Sequence, residues 1–341
     1  MVKTILVTGG AGYIGSVLVR AMLDKGYKVK VLDQMIFTED SLKDIKDKIE
    51  LIKRDIREVN PEIMDGVDAV IHLAGFATEP TSQYNPRLTD LINHIATENL
   101  AKMAKAKGIK RFIFASSCSI YFSYDTPLVP PLYKETDGIN SISPYSISKR
   151  AAEYALFELT DENFLPIIFR KGTTYGLSPR MRYDLVLNSF VKDAFCRRRL
   201  TVNAGGQVWR PLIDIQDIIW SYLKALEMPL DKIGGKIFNV CAGNWNIGEL
   251  AERVKKTLKE KKNIDVEVDV QPSGITRNYQ ADNSLFKTIF QFNPNRSLED
   301  AILEIFSHLE NNPKVNLSNP IFYNDLWYKI FFENSQLNKT I

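Results

Sequence analysis

The chain alternates short apolar runs with stretches in which apolar residues recur at helical spacing. The first apolar run covers residues 5–7, and a helical pattern follows over residues 17–22. Further apolar runs lie at residues 28–32, 50–53, 68–73, 112–115 and 166–169, and the longest helical pattern covers residues 86–107. Short apolar runs are typical of strands that are buried on both faces of a parallel sheet. Their alternation with helices predicts an α/β fold around such a sheet.

Glycines separate the first predicted strand from the first predicted helix. Gly9, Gly12 and Gly15 have the spacing G-x-x-G-x-x-G, and the helix is predicted to begin at about Tyr13. Glycine is needed there because the turn is tight and the backbone must approach a pyrophosphate with no Cβ in the way. The first N–H groups of the helix, at Tyr13 and Ile14, point at that anion. The turn therefore predicts a dinucleotide-binding site.

The end of the second predicted strand indicates which dinucleotide binds. A carboxylate at Asp33 can accept hydrogen bonds from both hydroxyls of the adenosine ribose, and it would repel a 2′-phosphate. The next residues, Gln34, Met35 and Ile36, supply no basic side chain to neutralise such a phosphate. The sequence therefore predicts NAD rather than NADP as the cofactor.

Two more strand ends are candidate cofactor contacts. After the third predicted strand, Asp55 and Ile56 can hold the adenine amino group and one ring face, and a surface turn is the alternative. After the fourth, Leu73 leads into Ala74 and Gly75, and small residues there let the dinucleotide pass over the edge of the sheet.

The residues on either side of that fourth strand end have different expected roles. His72 lies inside an apolar strand, and we interpret it as a packed core histidine rather than a base. The loop that begins at Phe76 follows the small residues, so it can face the substrate. Phe76 is therefore a candidate substrate contact.

A tyrosine and a lysine on one predicted helix are the candidate catalytic pair. Ser143 and Pro144 open that helix, as N-cap and first helical residue, and Tyr145 and Lys149 share one of its faces. The ammonium, together with the positive end of a bound nicotinamide, favours the phenolate and lowers the tyrosine pKa. Ser117, at the end of the fifth predicted strand, can hydrogen-bond the same substrate oxygen. Such a pair alone is usually a solvated helix face, but in this setting it predicts acid–base catalysis coupled to hydride transfer.

Composition narrows the class of protein. The 341 residues carry 44 basic and 41 acidic side chains and a net charge of +3, which is too balanced to favour nucleic-acid or membrane binding. The three cysteines have no metal-ligand spacing, so no metal site is expected, and their sparse, odd number suits a reducing compartment. A strand begins almost at the first residue, so we expect no signal peptide and a cytoplasmic enzyme.

Taken together, the motifs resemble the extended short-chain dehydrogenases/reductases, in the NAD-dependent sugar-nucleotide epimerase/dehydratase family. The resemblance runs over about residues 1–310 and rests on residues 8–15, Asp33, 55–56, 72–75, 116–117, Tyr145 and Lys149, and then on 170–176, 209–211, 238–240 and 277–279. It implies a catalytic triad of Ser117, Tyr145 and Lys149. It also adds Ser116, Tyr145 and Lys149 to the expected cofactor contacts.

The resemblance also implies the architecture. The expected fold is a Rossmann-type, doubly wound parallel sheet with a smaller, discontinuous C-terminal substrate-binding lobe. The NAD-binding domain is expected at residues 1–174 with returning segments at 212–242, the lobe at 175–211 and 243–312, and an extension at 313–341. The aromatic side chains of the extension are expected to pack in the core or at a dimer interface rather than to form a cofactor site. The expected assembly is a homodimer.

The expected substrate is a nucleotide-sugar held by the smaller lobe. Arg210 and Arg277 match family positions that meet the diphosphate, and guanidinium suits that role because it offers paired N–H donors. Arg182 and Asp184 line the expected sugar-nucleotide cleft. Thr173 is a further candidate substrate contact. Many relatives have an asparagine at this position, so Thr173 lacks the side-chain amide that usually meets the diphosphate.

The strand-five motif bears on the reaction. Family 4,6-dehydratases carry an acid just after the catalytic Ser/Thr, whereas this chain has Cys118 and Ser119, so dehydration is disfavoured. A cysteine near that position serves as an acid/base in the GDP-fucose synthase branch, and a buried apolar role is the alternative for Cys118. A C4 epimerase is therefore favoured. A net C4 dehydrogenase or ketoreductase, a 4,6-dehydratase and a non-catalytic dinucleotide sensor or scaffold remain alternatives.

Overall fold

The computed structural model describes residues 3–123, 126–139, 141–272 and 277–334. The strands are β1 (Thr4–Thr8), β2 (Lys28–Asp33), β3 (Glu50–Lys53), β4 (Ala69–His72), β5 (Arg111–Ser117), β6 (Leu132–Tyr133), β7 (Leu165–Lys171), β8 (Thr173–Tyr175), β9 (Arg199–Val202), β10 (Trp209–Asp214), β11 (Lys236–Val240), β12 (Gly243–Asn246), β13 (Glu267–Val270) and β14 (Gln280–Ala281). The α-helices are α1 (Gly15–Asp24), α2 (Glu79–Tyr84), α3 (Pro86–Asp90), α4 (Ala96–Ala106), α5 (Pro144–Glu158), α6 (Val186–Arg197), α7 (Ile215–Glu227), α8 (Leu230–Ile233), α9 (Ile247–Lys262), α10 (Ser284–Phe290), α11 (Leu298–Asn311) and α12 (Asn324–Asn334).

Seven parallel strands form the central sheet in the order β11-β7-β5-β4-β1-β2-β3. The middle strands are apolar and buried, because helices cover both faces of the sheet. The predicted fold class, a Rossmann-type parallel sheet, is confirmed. The order reverses at β1, so the carboxyl ends of β1, β2 and β4 lie side by side at the edge where such sheets bind ligands.

His72, at the end of β4, is buried in the sheet. Its Nδ1 lies 2.6 Å from the hydroxyl of Thr8 and its Nε2 lies 2.7 Å from that of Thr97. Burial lowers its pKa to about 3, so the ring is neutral. The interpretation of His72 as a core histidine is confirmed.

The long helix predicted over residues 86–107 contains a local change of winding. Its first turn is α3 and its last turns are α4, but Leu91–Ile95 between them forms a π turn. Single π turns inside α-helices are rare and frequently lie at functional sites. Here the π turn contains Asn93, which is fully buried. Helix α1 begins at Gly15 rather than near Tyr13, so Gly9 and Gly12 precede the helix and Gly15 is its first residue.

A second layer of structure leaves the central sheet and returns to it. Strands β8, β10 and β12 form a small sheet, and helices α6, α9 and α11 pack on one another beside it. Between β10 and β12 the chain returns to the large sheet, where α7 packs on α1 and β11 pairs with β7. A discontinuous lobe follows from this path, and the exact domain boundaries stay a prediction.

The last described element of the C-terminal extension is α12, which packs against α2. The Trp327 indole N–H donates to the carbonyl of Ile36, 2.8 Å away, in the loop after β2. Residues 335–341 of the extension lie outside the described residues. Within the described ranges, no helix is both long enough and apolar enough to cross a membrane.

Candidate active site

A cavity of about 790 Å³ opens at the carboxyl edge of the central sheet, beneath the smaller lobe. Most of the residues predicted to bind cofactor or substrate line it: Gly9, Gly12, Tyr13, Ile14, Gly15, Asp33, Asp55, Ile56, Leu73, Ala74, Gly75, Phe76, Ser117, Tyr145, Thr173, Arg182, Asp184, Arg210 and Arg277. Ser116, Cys118 and Lys149 do not border it directly. The fold therefore brings strand ends that are far apart in sequence to one site.

The glycine turn presents backbone to this cavity. Gly9 has φ +72°, and a Cβ there would lie 2.7 Å from the backbone nitrogen of Ala74, so only glycine fits. The N-cap of α1 is Ile14, and no side chain caps it. No side chain therefore competes with an anion for the N–H groups at the start of α1, which fits the diphosphate of a dinucleotide.

Asp33 lies at the end of β2 beside that turn. Its carboxylate accepts the N–H of Ala11 at 2.9 Å and the N–H of Met35 at 2.8 Å. Burial raises its pKa, while those N–H groups and the Arg180 guanidinium lower it. The sequence showed no cation next to Asp33, but the fold brings Arg180 near it from a distant segment.

Asp55, the other acid predicted at the adenine end, already has a partner. Its carboxylate accepts two hydrogen bonds from the Arg57 guanidinium, at 2.8 and 3.1 Å, and one from the N–H of Arg57. It still lines the cavity beside Ile56. A contact from Asp55 to adenine would share the carboxylate with Arg57.

The candidate catalytic residues group where β5 ends and α5 begins. Helix α5 begins with a capping box between Ser143 and Ser146, which fixes the position of Tyr145 in the first turn. One turn on, the buried Lys149 donates from Nζ to the carbonyl of Ala115 at 3.0 Å, under the end of β5. The Ser117 hydroxyl donates to that of Ser119 at 2.9 Å.

The charges of this group are set by burial. Burial raises the pKa of Tyr145 above its ordinary value, and the Ser117 hydroxyl lowers it. Burial also lowers the pKa of Lys149 to about 7, and the nearby Lys171 ammonium adds to the decrease. Both shifts favour neutral side chains, so in the free protein the tyrosine keeps its proton and the lysine is only about half protonated at pH 7. Charge at a bound cofactor would change that balance.

Two predicted contacts turn away from the cavity. Ser116 is fully buried and donates its hydroxyl to Glu153, which also pairs with Arg170 at 2.7 Å. The Cys118 thiol donates to the carbonyl of Arg170 at 3.0 Å, and burial raises its pKa well above the ordinary value. Instead of contacting cofactor or substrate, the two side chains connect the end of β5 to Glu153 in α5 and to Arg170 in β7. The apolar alternative for Cys118 fits its position.

The phosphate-binding candidates differ in how they are paired. Arg182 makes a bidentate pair with Asp184 at 2.7 and 2.9 Å, so its charge is already balanced. Arg210 is buried, donates to the carbonyl of Trp209 at 2.8 Å and lies over the ring of Tyr279. Burial lowers its pKa to about 10. Arg277 is half-buried at the same cavity, which Thr173 in β8 also lines.

Comparison with known proteins fits this geometry. The family model described as "NAD dependent epimerase/dehydratase family" matches residues 5–241. The chain belongs to this family. It is 31% identical over 310 residues to the UDP-glucuronic acid decarboxylase 6 of Arabidopsis thaliana. The aligned region covers 87% of this chain and 86% of the relative. Membership makes the chain an NAD-dependent enzyme of the extended short-chain dehydrogenase/reductase type.

Solved structures share the fold. A UDP-glucuronic acid 4-epimerase from Bacillus cereus, in complex with UDP-glucuronic acid and NAD, is 24% identical, with a TM-score of 0.77 and coverage of 90% of this chain and 99% of that one. A dTDP-glucose 4,6-dehydratase from Streptomyces venezuelae, with NAD bound, is 21% identical, with a TM-score of 0.76 and coverage of 95% and 99%. The enzymes in these two structures catalyse different reactions, epimerisation and dehydration, although they share one fold.

One acid of this epimerase/dehydratase site escaped the sequence analysis. Glu79 is the first residue of α2, is only 6% exposed and lines the cavity with Tyr145. Among the described residues, neither of its carboxylate oxygens has a hydrogen-bond partner. Burial raises its pKa, while the Ser143 hydroxyl and the Arg277 guanidinium lower it. No local pattern marks this residue, because its role depends on how the loop after β4 folds back over α5.

Proposed function

We propose that this enzyme oxidises a nucleotide-linked sugar at C4 and returns hydride to the same carbon, as a 4-epimerase. The observation that carries the proposal is the grouping of Ser117, Tyr145 and Lys149: Ser117 and Tyr145 line the cavity, and Lys149 lies buried one turn further along α5. Ser119 stands where family dehydratases have an acid. A hydroxyl cannot readily protonate a leaving group at neutral pH. The strand-five motif thus supports oxidation and reduction but not elimination.

In this mechanism Tyr145 removes the proton of the C4 hydroxyl. Bound NAD would supply the nicotinamide that takes a hydride from one face of C4 and, once the keto sugar has turned its other face to the ring, returns it to that opposite face. Ser117 hydrogen-bonds the same substrate oxygen and holds it against the tyrosine. The Lys149 ammonium stabilises the phenolate, since an opposite charge nearby lowers a tyrosine pKa. On the return step Tyr145 gives the proton back to the oxygen at C4.

The substrate diphosphate is assigned to Arg210 and Arg277. Neither forms an ion pair with a carboxylate in the part of the chain that the structure describes, whereas Arg182 is neutralised by Asp184. Buried or half-buried guanidinium groups without a carboxylate are suited to phosphate, which can take two N–H donors at once. The sugar would then extend from the diphosphate toward Tyr145.

Elimination of water is the second candidate, and Glu79 is the observation that favours it. Its buried carboxylate has no hydrogen-bond partner among the described residues and faces the same cavity as Tyr145. A carboxyl group with a raised pKa is suited to donate a proton at neutral pH. Glu79 can therefore supply from α2 the acid that is missing after Ser117.

A product assay separates these reactions. UDP-glucose, UDP-glucuronic acid and dTDP-glucose are incubated with the NAD-loaded enzyme, and the products are read by mass spectrometry and sugar NMR. The 4-epimerase predicts a product of unchanged mass with inverted C4. Loss of water supports the second candidate, and loss of carbon dioxide from UDP-glucuronic acid would match the decarboxylase relatives instead. If NAD binds but none of the sugars reacts, the epimerase proposal fails and a sensor role is favoured.

We also propose a homodimer that pairs through α5. Ile147 and Tyr154 are seven residues apart on this helix and are 49% and 57% exposed. Residues at that spacing lie on one helix face, two turns apart. A second copy of the chain would bury this apolar face.

A further inference from the structure

The C-terminal helix lies across the cofactor half of the cavity. The ring of Tyr328, in α12, packs against Phe37 at 5.2 Å and against Phe76 at 4.8 Å between ring centroids. Phe37 belongs to the loop after β2, and Phe76 belongs to the loop after β4. These strands flank β1 in the sheet, so the helix bridges the two loops on either side of the glycine turn.

Contacts on both sides hold α12 in this position. Trp327 is hydrogen-bonded to the carbonyl of Ile36, and Phe332 packs on Phe76 at 5.7 Å. On the lobe side, the backbone N–H of Asn324 donates to Asp184 at 3.2 Å. Asn324 and Tyr328 both line the cavity. The extension therefore forms a wall of the site, in contrast to the expected packing in the core or at a dimer interface alone.

Arg180 points into the cavity beneath this wall. It is 3% exposed, its Nη2 donates to the Asn324 side chain at 2.6 Å, and its Cζ lies 3.6 Å from the ring centroid of Phe37. Its Nε has no hydrogen-bond partner among the described residues. Nor does the guanidinium pair with any carboxylate that the structure describes, although the neighbouring Arg182 does.

The path of the chain brings Arg180 close to the glycine turn. The Ser178 hydroxyl donates to the carbonyl of Tyr13 at 2.7 Å, and the Tyr13 hydroxyl donates to the carbonyl of Gly176 at 2.7 Å. A buried guanidinium without a counter-ion is costly, because its desolvation is not offset by an opposite charge. Burial accordingly lowers the pKa of Arg180 to about 9, and the Arg182 charge contributes. The Asp184 and Asp33 carboxylates offset part of this decrease without pairing directly with the guanidinium, so an anionic ligand at this place would supply the direct partner.

We propose that Arg180 binds the diphosphate of NAD, and that α12 closes the groove over it, with Asn324 orienting the guanidinium and Tyr328 bridging the two flanking loops. The ligand chemistry is a phosphate group. The position beside Asp33 and Phe37 favours the dinucleotide over the sugar nucleotide, whose candidate arginines, Arg210 and Arg277, belong to later segments. A closed groove keeps the cofactor bound while hydride leaves the sugar and returns.

The test measures cofactor binding without any sugar, so it stands apart from the proposed reaction. Full-length protein is stripped of NAD, and the dissociation constants of NAD, NADP and UDP are measured by calorimetry. The NAD dissociation rate is measured by chasing labelled NAD with an excess of unlabelled NAD. Arg180→Ala is expected to raise the NAD dissociation constant about 10- to 100-fold, the usual effect of losing hydrogen bonds to a charged group.

Further variants keep the test informative if Arg180→Ala folds poorly. Arg180→Lys retains a charge without the planar fork and is expected to weaken NAD less. Asn324→Ala and Tyr328→Ala are expected mainly to speed NAD dissociation. Leu326→Ala and Lys329→Ala, on the exposed face of α12, are the matched controls and should bind NAD as the wild type does.

Specific results would overturn the proposal. Arg180 and Asn324 variants that bind and release NAD like the wild type would show that the wall plays no part in cofactor binding. If Arg180→Ala weakened UDP alone, the guanidinium would belong to the sugar-nucleotide subsite. If Arg180→Ala weakened the binding of NADP alone, the guanidinium would contact a 2′-phosphate rather than the diphosphate.

Discussion

Asn93 holds the backbone of Phe76 by both of its polar groups. Its Oδ1 accepts the Phe76 N–H at 2.8 Å, and its Nδ2 donates to the Phe76 carbonyl at 3.1 Å. The same Nδ2 donates to the Ser148 hydroxyl at 3.1 Å, in the catalytic helix α5. The π turn aims this amide inward. It thereby fastens the loop after β4, including Gly75, to the helix that carries Tyr145 and Lys149.

Replacing Asn93 should loosen that connection. Asn93→Ala leaves the buried N–H and carbonyl of Phe76 without partners, and each such group costs about 1–3 kcal/mol. We expect the free energy of unfolding to fall by about 2–4 kcal/mol, as measured by urea denaturation. His94→Ala, in the same π turn but partly exposed, is the control and should change it by less than about 1 kcal/mol. Equal stability of the two variants would contradict this role.

Tyr145→Phe tests the proposed acid–base step. The variant keeps the ring and removes only the ionisable oxygen, so NAD binding should survive. The rate should fall by about 10²–10⁴, the usual contribution of a positioned acid–base group. Single-turnover hydride transfer, followed by nicotinamide absorbance, separates this step from product release. Ser117→Ala should cost less because it removes one hydrogen bond, and wild-type turnover by Tyr145→Phe would refute the mechanism.

The strand ends of this fold could be read from the sequence because each has its own local signal. Gly9, Asp33 and Ser117 each follow an apolar run, and parallel strands bring such ends to one edge. Glu79 and Arg180 have no such signal. Each lies in a loop or a short helix, and its burial comes from elements that are far away in the chain. Cys118 shows the opposite case, because it directly follows Ser117 in sequence but its buried thiol donates to the carbonyl of Arg170 and does not border the cavity.

Lys149 should lower the free energy of unfolding of the cofactor-free protein, because its ammonium group is buried. Its pKa is about 7 in the folded protein and 10.5 ordinarily, so the unfolded chain binds more protons between these values. Stability should therefore rise as pH increases from 7 toward 10.5, and the full penalty is present below pH 7. Lys149→Met removes the penalty. We expect the cofactor-free variant to be more stable than the wild type at pH 6–7, by up to a few kcal/mol, although it is inactive.

The measurement for Lys149 is a pair of urea titrations at several pH values. The advantage of Lys149→Met should shrink as the pH rises toward 10. Lys102→Met, on the exposed face of α4, controls for the general effect of removing a lysine and should show no such trend. A constant difference across the pH range would mean that Lys149 is charged in the fold at every pH tested.

The proposed dimer is tested at the exposed face of α5. Light scattering at micromolar concentration should give twice the monomer mass for the wild type. Introducing glutamate at Ile147 and Tyr154 places two charges in the interface, and burying unpaired charges is costly, so the double variant should be monomeric. Val270→Glu, at an exposed apolar residue in β13, should remain a dimer. A monomeric wild type would refute the proposal. A dimeric double variant would show that the dimer interface lies on another surface of the protein.

Glu79→Gln distinguishes the two candidate reactions. Glutamine keeps the shape of the side chain but cannot donate or accept the catalytic proton. If the enzyme is a 4-epimerase, Glu79 at most accepts hydrogen bonds from sugar hydroxyls, so KM should rise while kcat changes little. If the enzyme eliminates water, kcat should fall by about 10²–10⁴ while the first hydride transfer still proceeds. Reduced nicotinamide would then accumulate on the variant and be visible by absorbance.

Glu79→Gln should fold at least as stably as the wild type. Because burial raises the pKa of Glu79, its ionised form destabilises the fold above the ordinary carboxyl pKa of 4.5, and an amide removes that penalty. Glu79→Gln should therefore unfold at a urea concentration at least as high as the wild type at pH 7. Gln83→Ala, an exposed residue of α2 that borders the same cavity, is the matched control and should keep wild-type kcat. If Glu79→Gln leaves both KM and kcat unchanged, the carboxylate does not touch the sugar, and neither role is correct.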